Sequence, residues 1–173
     1  LAVGFTIYPG SEYQFEMMEE LKELALEAKS LGLAVVVWSY PRGGNLSKEG
    51  ETAMDVCAYA AHMAALLGAH IIKVKPPSAH IEQKEAQDSY KNLDISSLTQ
   101  RIAHVMQSSF NNRRIVVFSG NAFTDMQGLL NDIREIRDGG GNGSIIGRNT
   151  FQRPRDEALS MLNKVIDIYK GKN

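Results

Sequence analysis

Lysine seldom sits in the apolar heart of a strand, yet the run His70-Ile71-Ile72-Lys73-Val74-Lys75 holds two. A strand alternates faces, so Ile71, Lys73 and Lys75 share one side while Ile72 and Val74 share the other. In a sheet covered on both faces, neither side suits a charge without a partner or a task. One reading pairs Lys73 with a buried carboxylate. The other is chemical. An unprotonated amine attacks a carbonyl, and burial or a neighbouring cation lowers a lysine pKa enough to supply that amine. Lys75, two positions along, is the expected cation, unless it only reaches solvent. The resulting iminium is an electron sink, able to stabilise the carbanion left when a carbon–carbon bond breaks.

Such chemistry also needs a proton carrier and a grip on the substrate. Val36, Trp38 and Tyr40 share a face of the preceding strand, which puts Tyr40 at the rim one strand away from Lys73. Tyr40 is a candidate acid/base, Trp38 a wall of the site and Arg42 a cation for a second phosphate, unless Trp38 and Tyr40 only pack the core and Arg42 only lies in a solvated loop. Two later strand ends, Ser119-Gly120-Asn121 and Gly147-Arg148-Asn149, combine small residues with a guanidinium. Small residues let backbone N–H groups approach an anion, and Arg148 adds a bidentate contact. These two strand ends are therefore the candidate phosphate loops.

The elements that must position these groups recur five times as an apolar run followed by a helical pattern. The runs are Ala2–Tyr8, Leu33–Ser39, His70–Lys75, Arg114–Gly120 and Gly143–Ile146. The first helix carries Met17, Leu21, Leu24, Ala25 and Ala28 at spacings of three and four, with Gly32 as its stop. An alanine-rich helix is expected over Ala53–Leu67, and others near Asp94–Ser108, from Thr124 (an N-cap with Gln127 three residues on) and over Asp156–Tyr169. Strands alternating with helices imply parallel pairing, because parallel strands need a crossover. The architectures compatible with this are an open doubly wound sheet and a part of a (β/α)8 TIM barrel. Polar residues gather where strands end, at Tyr8, Trp38 to Arg42, Lys73, Lys75, Ser119, Gly120 and Arg148, which is the rim where barrel enzymes keep their active sites. Five units suit the last five of a barrel of about 250 residues. The reading is thus one α/β domain over 1–173, the C-terminal portion of a barrel, with further residues expected upstream because Leu1 opens directly in a strand-like run. Five strands alone would leave open edges, so the isolated chain is expected to be insoluble or inactive.

Bulk properties narrow the class. The 173 residues carry a formal net charge of -1, with 43% hydrophobic and 23% charged residues. That balance gives no sign of a general nucleic-acid or membrane-surface binder. No apolar run approaches a membrane span, and no secretory signal is visible. The single Cys57 cannot form an internal disulfide, which fits a cytoplasmic location.

The segments Gly4-Phe-Thr-Ile-Tyr-Pro-Gly-Ser11, Trp38-Ser-Tyr-Pro-Arg-Gly-Gly44, Gly68-Ala-His-Ile-Ile-Lys73, Ser119-Gly120 and Gly147-Arg-Asn149 run in order along the whole chain. In these the sequence resembles the DhnA-type class I fructose-bisphosphate aldolases of archaea and bacteria, most specifically in the Trp-Ser-Tyr-Pro-Arg-Gly-Gly block. The resemblance implies Lys73 as the Schiff-base lysine and Tyr40 as proton donor and acceptor. It implies Trp38 and Arg42 as substrate contacts, with Ser119, Gly120, Gly147 and Arg148 around a phosphate. It implies no cofactor, a phosphorylated sugar as substrate, a homo-oligomer, and an aspartate near the first strand of a segment not in this sequence. Two departures stand out: Ser119-Gly120-Asn121 replaces the family's usual Ser-Gly-Gly, and the loop after Lys75 opens with Pro76-Pro77 and is longer than in some relatives.

Other readings compete. A sibling Schiff-base lyase or synthase on another phosphorylated keto-sugar would carry the same residues. A non-catalytic phosphosugar-binding barrel would keep only the phosphate site. A metal-dependent aldolase would need ligands from His62, His70, His80 and His104, which show no close ligand spacing, so no metal is expected.

Overall fold

The computed structural model describes residues 1–120 and 125–172. Five strands are laid down in chain order: β1 (Ala2–Ile7), β2 (Ala34–Ser39), β3 (Ile71–Val74), β4 (Ile115–Ser119) and β5 (Gly143–Ile145). Every pairing is parallel, and the order in the sheet is β1-β2-β3-β4-β5. This order decides between the two architectures. A doubly wound sheet reverses direction part-way, whereas here each strand lies beside its predecessor. Right-handed crossovers that always step the same way place all helices on one face. The other face is left as an interior, as in a (β/α)8 barrel, of which these are five β/α units.

The helices are α1 (Gln14–Ser30), α2 (Met54–Leu66), α3 (Gln87–Tyr90), α4 (Leu98–Ser108), α5 (Met126–Asp138), α6 (Arg148–Phe151) and α7 (Arg155–Tyr169), with 3₁₀ turns at Gly50–Thr52 and Lys84–Ala86. Their apolar stripes seat on the outward side chains of the strands. Val35, Val37, Ile72, Val74, Val116 and Phe118 are fully buried there, against Leu21, Ala25, Ile102 and Val105 of the helices. Each large side chain so buried contributes about 1.5–3 kcal/mol. In α2 the buried face is built from Ala58, Ala61, Ala64 and Ala65, which lets the helix lie close to β2 and β3. The buried Ser39 hydroxyl donates to the Ala60 carbonyl (2.8 Å), tying that helix to the strand that precedes the candidate site. A second cluster, Leu129, Leu130, Ile133, Met161, Val165 and Ile168, joins α5 to α7.

Helix ends follow local chemistry. At the C-terminus of α1, Leu33 N–H donates to Ala28 O (2.9 Å) and Gly32 N–H to Lys29 O (3.1 Å), with Gly32 at φ +71°. That double bond is a Schellman stop, and glycine takes the left-handed turn without strain. The fourth helix departs from expectation. It begins at Leu98 rather than near Asp94, because Ser97 and Gln100 form a reciprocal capping box. Asp94 instead accepts from the Ser96 N–H (3.1 Å) and hydroxyl (2.8 Å), closing a turn ahead of the helix. Thr124 lies outside the described residues, and the cap of α5 is Asp125, whose Oδ1 accepts from Gly128 N–H (2.7 Å). No helix among the described residues is long and apolar enough to cross a membrane.

Candidate active site

Pairing register carries one row of side chains across the inner face: Thr6 opposite Trp38, Trp38 opposite Lys73, Lys73 opposite Val117, and Val117 opposite Gly143. Lys73 therefore stands in the middle of the sheet, on the side away from the helices. It is half-buried, and among the described residues it makes no hydrogen bond and no ion pair. Its Nζ lies 5.8 Å from the centroid of the Tyr40 ring. Burial alone holds the Lys73 pKa below the ordinary lysine value. The alternative of a carboxylate partner is not found among the described residues.

Lys75 does not play the part expected of it. The strand ends at Val74, so strict alternation stops before Lys75. Its ammonium is held by Glu51 Oε2 at 3.0 Å, in the 3₁₀ turn that leads into α2. The Cys57 thiol of that helix, which burial pushes up to about 12, feels the opposing pull of the Lys75 charge. A cation neutralised by Glu51 and turned toward α2 does not depress Lys73. The lowered pKa comes from desolvation instead.

Tyr40 follows β2 and is fixed by its N–H donating to Ile7 O (3.1 Å), which continues the β1–β2 ladder to the rim. Burial pushes its phenol up to about 12, with Tyr8 adding to the rise. It therefore stays protonated at neutral pH, a donor beside an amine. Trp38 lies over β1, where only a glycine leaves room: a Cβ on Gly4 would sit 2.5 Å from Trp38 Cζ3. Arg42 is exposed at the start of the loop after β2. That loop is laced to the loop after β1 by Arg42 N–H to Pro9 O (2.9 Å) and Asn45 N–H to Gly10 O (3.3 Å). Gly43, at φ +135°, lies so close that a Cβ would fall 2.3 Å from Gly10 O. The Arg42 guanidinium sits over the Tyr8 ring at 5.9 Å.

The two late loops also meet. Ser119 pairs with Ile145, and a Cβ on Gly120 would stand 3.4 Å from Asn149 Nδ2, so the backbone at Gly120 borders the buried Asn149. Gly147 precedes the single turn of α6, and Arg148 projects exposed from its start. Ser119, Gly120, Gly147 and Arg148 are thus gathered at the β4–β5 end of the same rim. Asn121 lies outside the described residues. Two rim residues were given a place but no task by the sequence: Tyr8, which directly follows β1, and Asn149, the tail of the Gly147-Arg148-Asn149 motif.

The four histidines point elsewhere. His62 Nδ1 donates to Ser108 O (2.8 Å), His70 Nδ1 accepts from Val35 N–H (2.9 Å), His80 Nε2 donates to Glu82 (2.9 Å), and His104 Nε2 shares a hydrogen bond with the Tyr90 hydroxyl (3.0 Å). Among the described residues no three His, Cys, Asp or Glu side chains converge as a metal ligand set. A cavity of about 770 Å³ lies between Tyr59, His62, Tyr90 and Phe110 and reaches Pro9, Gly10 and Asn45 of the first two loops, but Trp38, Tyr40, Arg42, Lys73 and the β4–β5 loop residues do not line it.

Comparison with known proteins gives a consistent result. The family model described as DeoC/LacD family aldolase matches residues 1–153. A protein of Methanocaldococcus jannaschii named fructose-bisphosphate aldolase/6-deoxy-5-ketofructose 1-phosphate synthase is 34% identical over 169 residues, covering 97% of this chain and 48% of that protein. A fructose-bisphosphate aldolase class 1 of Thermoproteus tenax is 34% identical over 173 residues, covering 99% of this chain and 56% of that protein. A solved archaeal fructose-1,6-bisphosphate aldolase, with its catalytic Lys bound covalently to the carbinolamine intermediate of its substrate, superposes with a TM-score of 0.77 at 29% identity. It covers 97% of this chain and 57% of that one. The chain spans about half the length of the curated relatives it matches.

Proposed function

Because this chain belongs to the DeoC/LacD family of aldolases, we propose that it supplies the Schiff-base half of a class I fructose-bisphosphate aldolase, as the C-terminal portion of one TIM-barrel domain over residues 1–173. The observation that carries the reading is Lys73: a half-buried amine of lowered pKa on the inner face of β3, without a carboxylate partner among the described residues, 5.8 Å from the ring of a protonated Tyr40.

In this reading the Lys73 amine adds to the C2 carbonyl of fructose 1,6-bisphosphate, and the oxygen takes a proton to give a carbinolamine. Tyr40 donates the proton with which that hydroxyl leaves as water, forming the iminium. Loss of the C4 hydroxyl proton to a base breaks the C3–C4 bond, and its electron pair passes into the iminium as an enamine. Glyceraldehyde 3-phosphate leaves. The enamine takes a proton at C3, and water then hydrolyses the new iminium, returning the Lys73 amine and releasing dihydroxyacetone phosphate. Trp38 walls the sugar, Arg42 meets the distal phosphate, and Ser119, Gly120, Gly147 and Arg148 hold the phosphate beside C2. The reaction runs in either direction, as glycolysis and gluconeogenesis require, in the cytoplasm and within a homo-oligomer.

The test is aldol cleavage by the full-length gene product, followed by coupled oxidation of NADH on triose phosphate release, with and without EDTA. The expected result is cleavage that EDTA leaves unchanged and that Lys73→Met abolishes. A folded full-length product that releases no triose phosphate, or loses its activity to EDTA, refutes the reading.

A further inference from the structure

Arg42 poses a positioning problem. Its backbone is clamped by the lacing to Pro9 and Gly10 and by the close approach of Gly43. Its side chain, by contrast, is exposed and has no hydrogen-bond or ion-pair partner among the described residues. A guanidinium on a long, freely rotating stem makes a poor anchor, since each rotamer fixed on binding subtracts from affinity. Among the described residues the Tyr8 ring restricts it, with Arg42 Cζ 5.9 Å from the centroid. Tyr8 follows β1 as Tyr40 follows β2, and backbone bonds on either side, Tyr40 N–H to Ile7 O and Arg42 N–H to Pro9 O, hold the two segments together. The Tyr8 hydroxyl makes no hydrogen bond among the described residues, and the ring is the part of Tyr8 that faces Arg42.

We propose that Tyr8 is a positioning residue: its ring is the platform on which the Arg42 guanidinium is held toward the distal phosphate of a ketose bisphosphate. The inference rests on the aldolase reading for the identity of the ligand. A guanidinium stacked on an aromatic face keeps its N–H edge free, so the platform and a phosphate do not compete for it. Tyr8 thereby favours substrates that carry a phosphate at both ends over those phosphorylated only next to the keto group. Phenylalanine offers the same face; leucine does not.

The experiment measures binding in the full-length product carrying Lys73→Met, where no ligand is consumed. Dissociation constants for fructose 1,6-bisphosphate and fructose 1-phosphate are taken by calorimetry. The ratio between them is expected to shrink about fivefold on Tyr8→Leu and to be kept by Tyr8→Phe. With Arg42→Met already present, Tyr8→Leu should change the ratio no further. A leucine variant that weakens both ketoses equally, or leaves the ratio alone, overturns the proposal, as does a full effect of Tyr8→Leu in the Arg42→Met background. The functional reading is judged separately, by cleavage with Lys73 in place. A product that binds bisphosphate selectively but cleaves nothing would sink the aldolase assignment and leave the platform standing.

Discussion

Gly4→Ala tests how the sheet sets the wall of the site. The added methyl would lie 2.5 Å from Trp38 Cζ3 and 3.1 Å from Cη2. Carbon atoms rest about 3.5–4.0 Å apart, so the indole must withdraw by roughly 1 Å. Overpacking of this kind costs about 1–3 kcal/mol when backbone must yield. Here the obstruction is the far end of a side chain on the open inner face, so the low end applies. Replacing glycine in a strand returns about 0.5–1 kcal/mol. Net stability should therefore change by less than about 1 kcal/mol. Catalysis is less forgiving, since a displacement of about 1 Å can cost on the order of 100-fold in rate. The expected outcome is a fall in kcat/KM of roughly 10- to 100-fold, with the denaturation midpoint nearly unchanged. Trp38 is the one tryptophan in these 173 residues, so a shift in tryptophan emission should accompany the loss. Gly44→Ala is the control, because its Cβ would meet nothing within 4 Å. Emission and kcat/KM both at wild-type values in Gly4→Ala would refute the argument about the ring. A shifted emission with unimpaired cleavage would refute the role of the ring in the site.

Other outcomes follow from the same geometry. Lys73→Met should abolish cleavage yet raise stability by about 0.5–1 kcal/mol, since it removes a charge from an apolar strand without orphaning a partner; urea denaturation of the full-length protein reads this. The depressed Lys73 pKa means the unfolded chain binds more protons than the folded one between the two values, so the contribution of Lys73 to stability should rise with pH from its folded pKa to about 10.4. The Lys73→Met variant should lack that rise in a pH series of melts. Asp55 is buried and accepts from the N–H groups of Glu82 (3.0 Å) and Gln83 (2.9 Å); Asp55→Ala should cost about 2–3 kcal/mol and speed proteolysis in the loop after β3. Ser97→Ala removes a capping box and should cost about 1 kcal/mol by the same denaturation assay.

Much of the fold was legible because the chain's periods are strong. Alternation in Val35, Val37 and Ser39 against Val36 and Trp38 marked β2 and both its faces, and the spacing of Leu21, Ala25 and Ala28 marked α1. The single turns Gln87–Tyr90 and Arg148–Phe151 were not legible, since one turn has no period to detect. The start of α4 was read early because Asp94 and Ser97 are both capping types; only the reciprocal bonds of Ser97 and Gln100 distinguish them. The candidate site was legible in its placement where it lies inside strands. Lys73 and Trp38 fall on the face that alternation assigns, and pairing sets them opposite one another. Lys75 was misplaced because alternation was extended one residue past the strand, where Glu51, 24 residues earlier, takes the charge. Tyr8 and Asn149 were legible as rim positions, but not the approach of Arg42 to the Tyr8 ring or of Gly120 to Asn149, which depends on loop-to-loop contacts that no local pattern encodes.

Lys73 should become covalently joined to a ketose phosphate during turnover. The full-length product is incubated with fructose 1,6-bisphosphate, reduced with borohydride, digested and mapped by mass spectrometry. A reduced adduct is expected on the peptide holding Lys73 and none on Lys75, whose ammonium is engaged by Glu51. An enzyme that cleaves the substrate but yields no adduct, or carries it on another lysine, would rule out Lys73 as the Schiff-base residue.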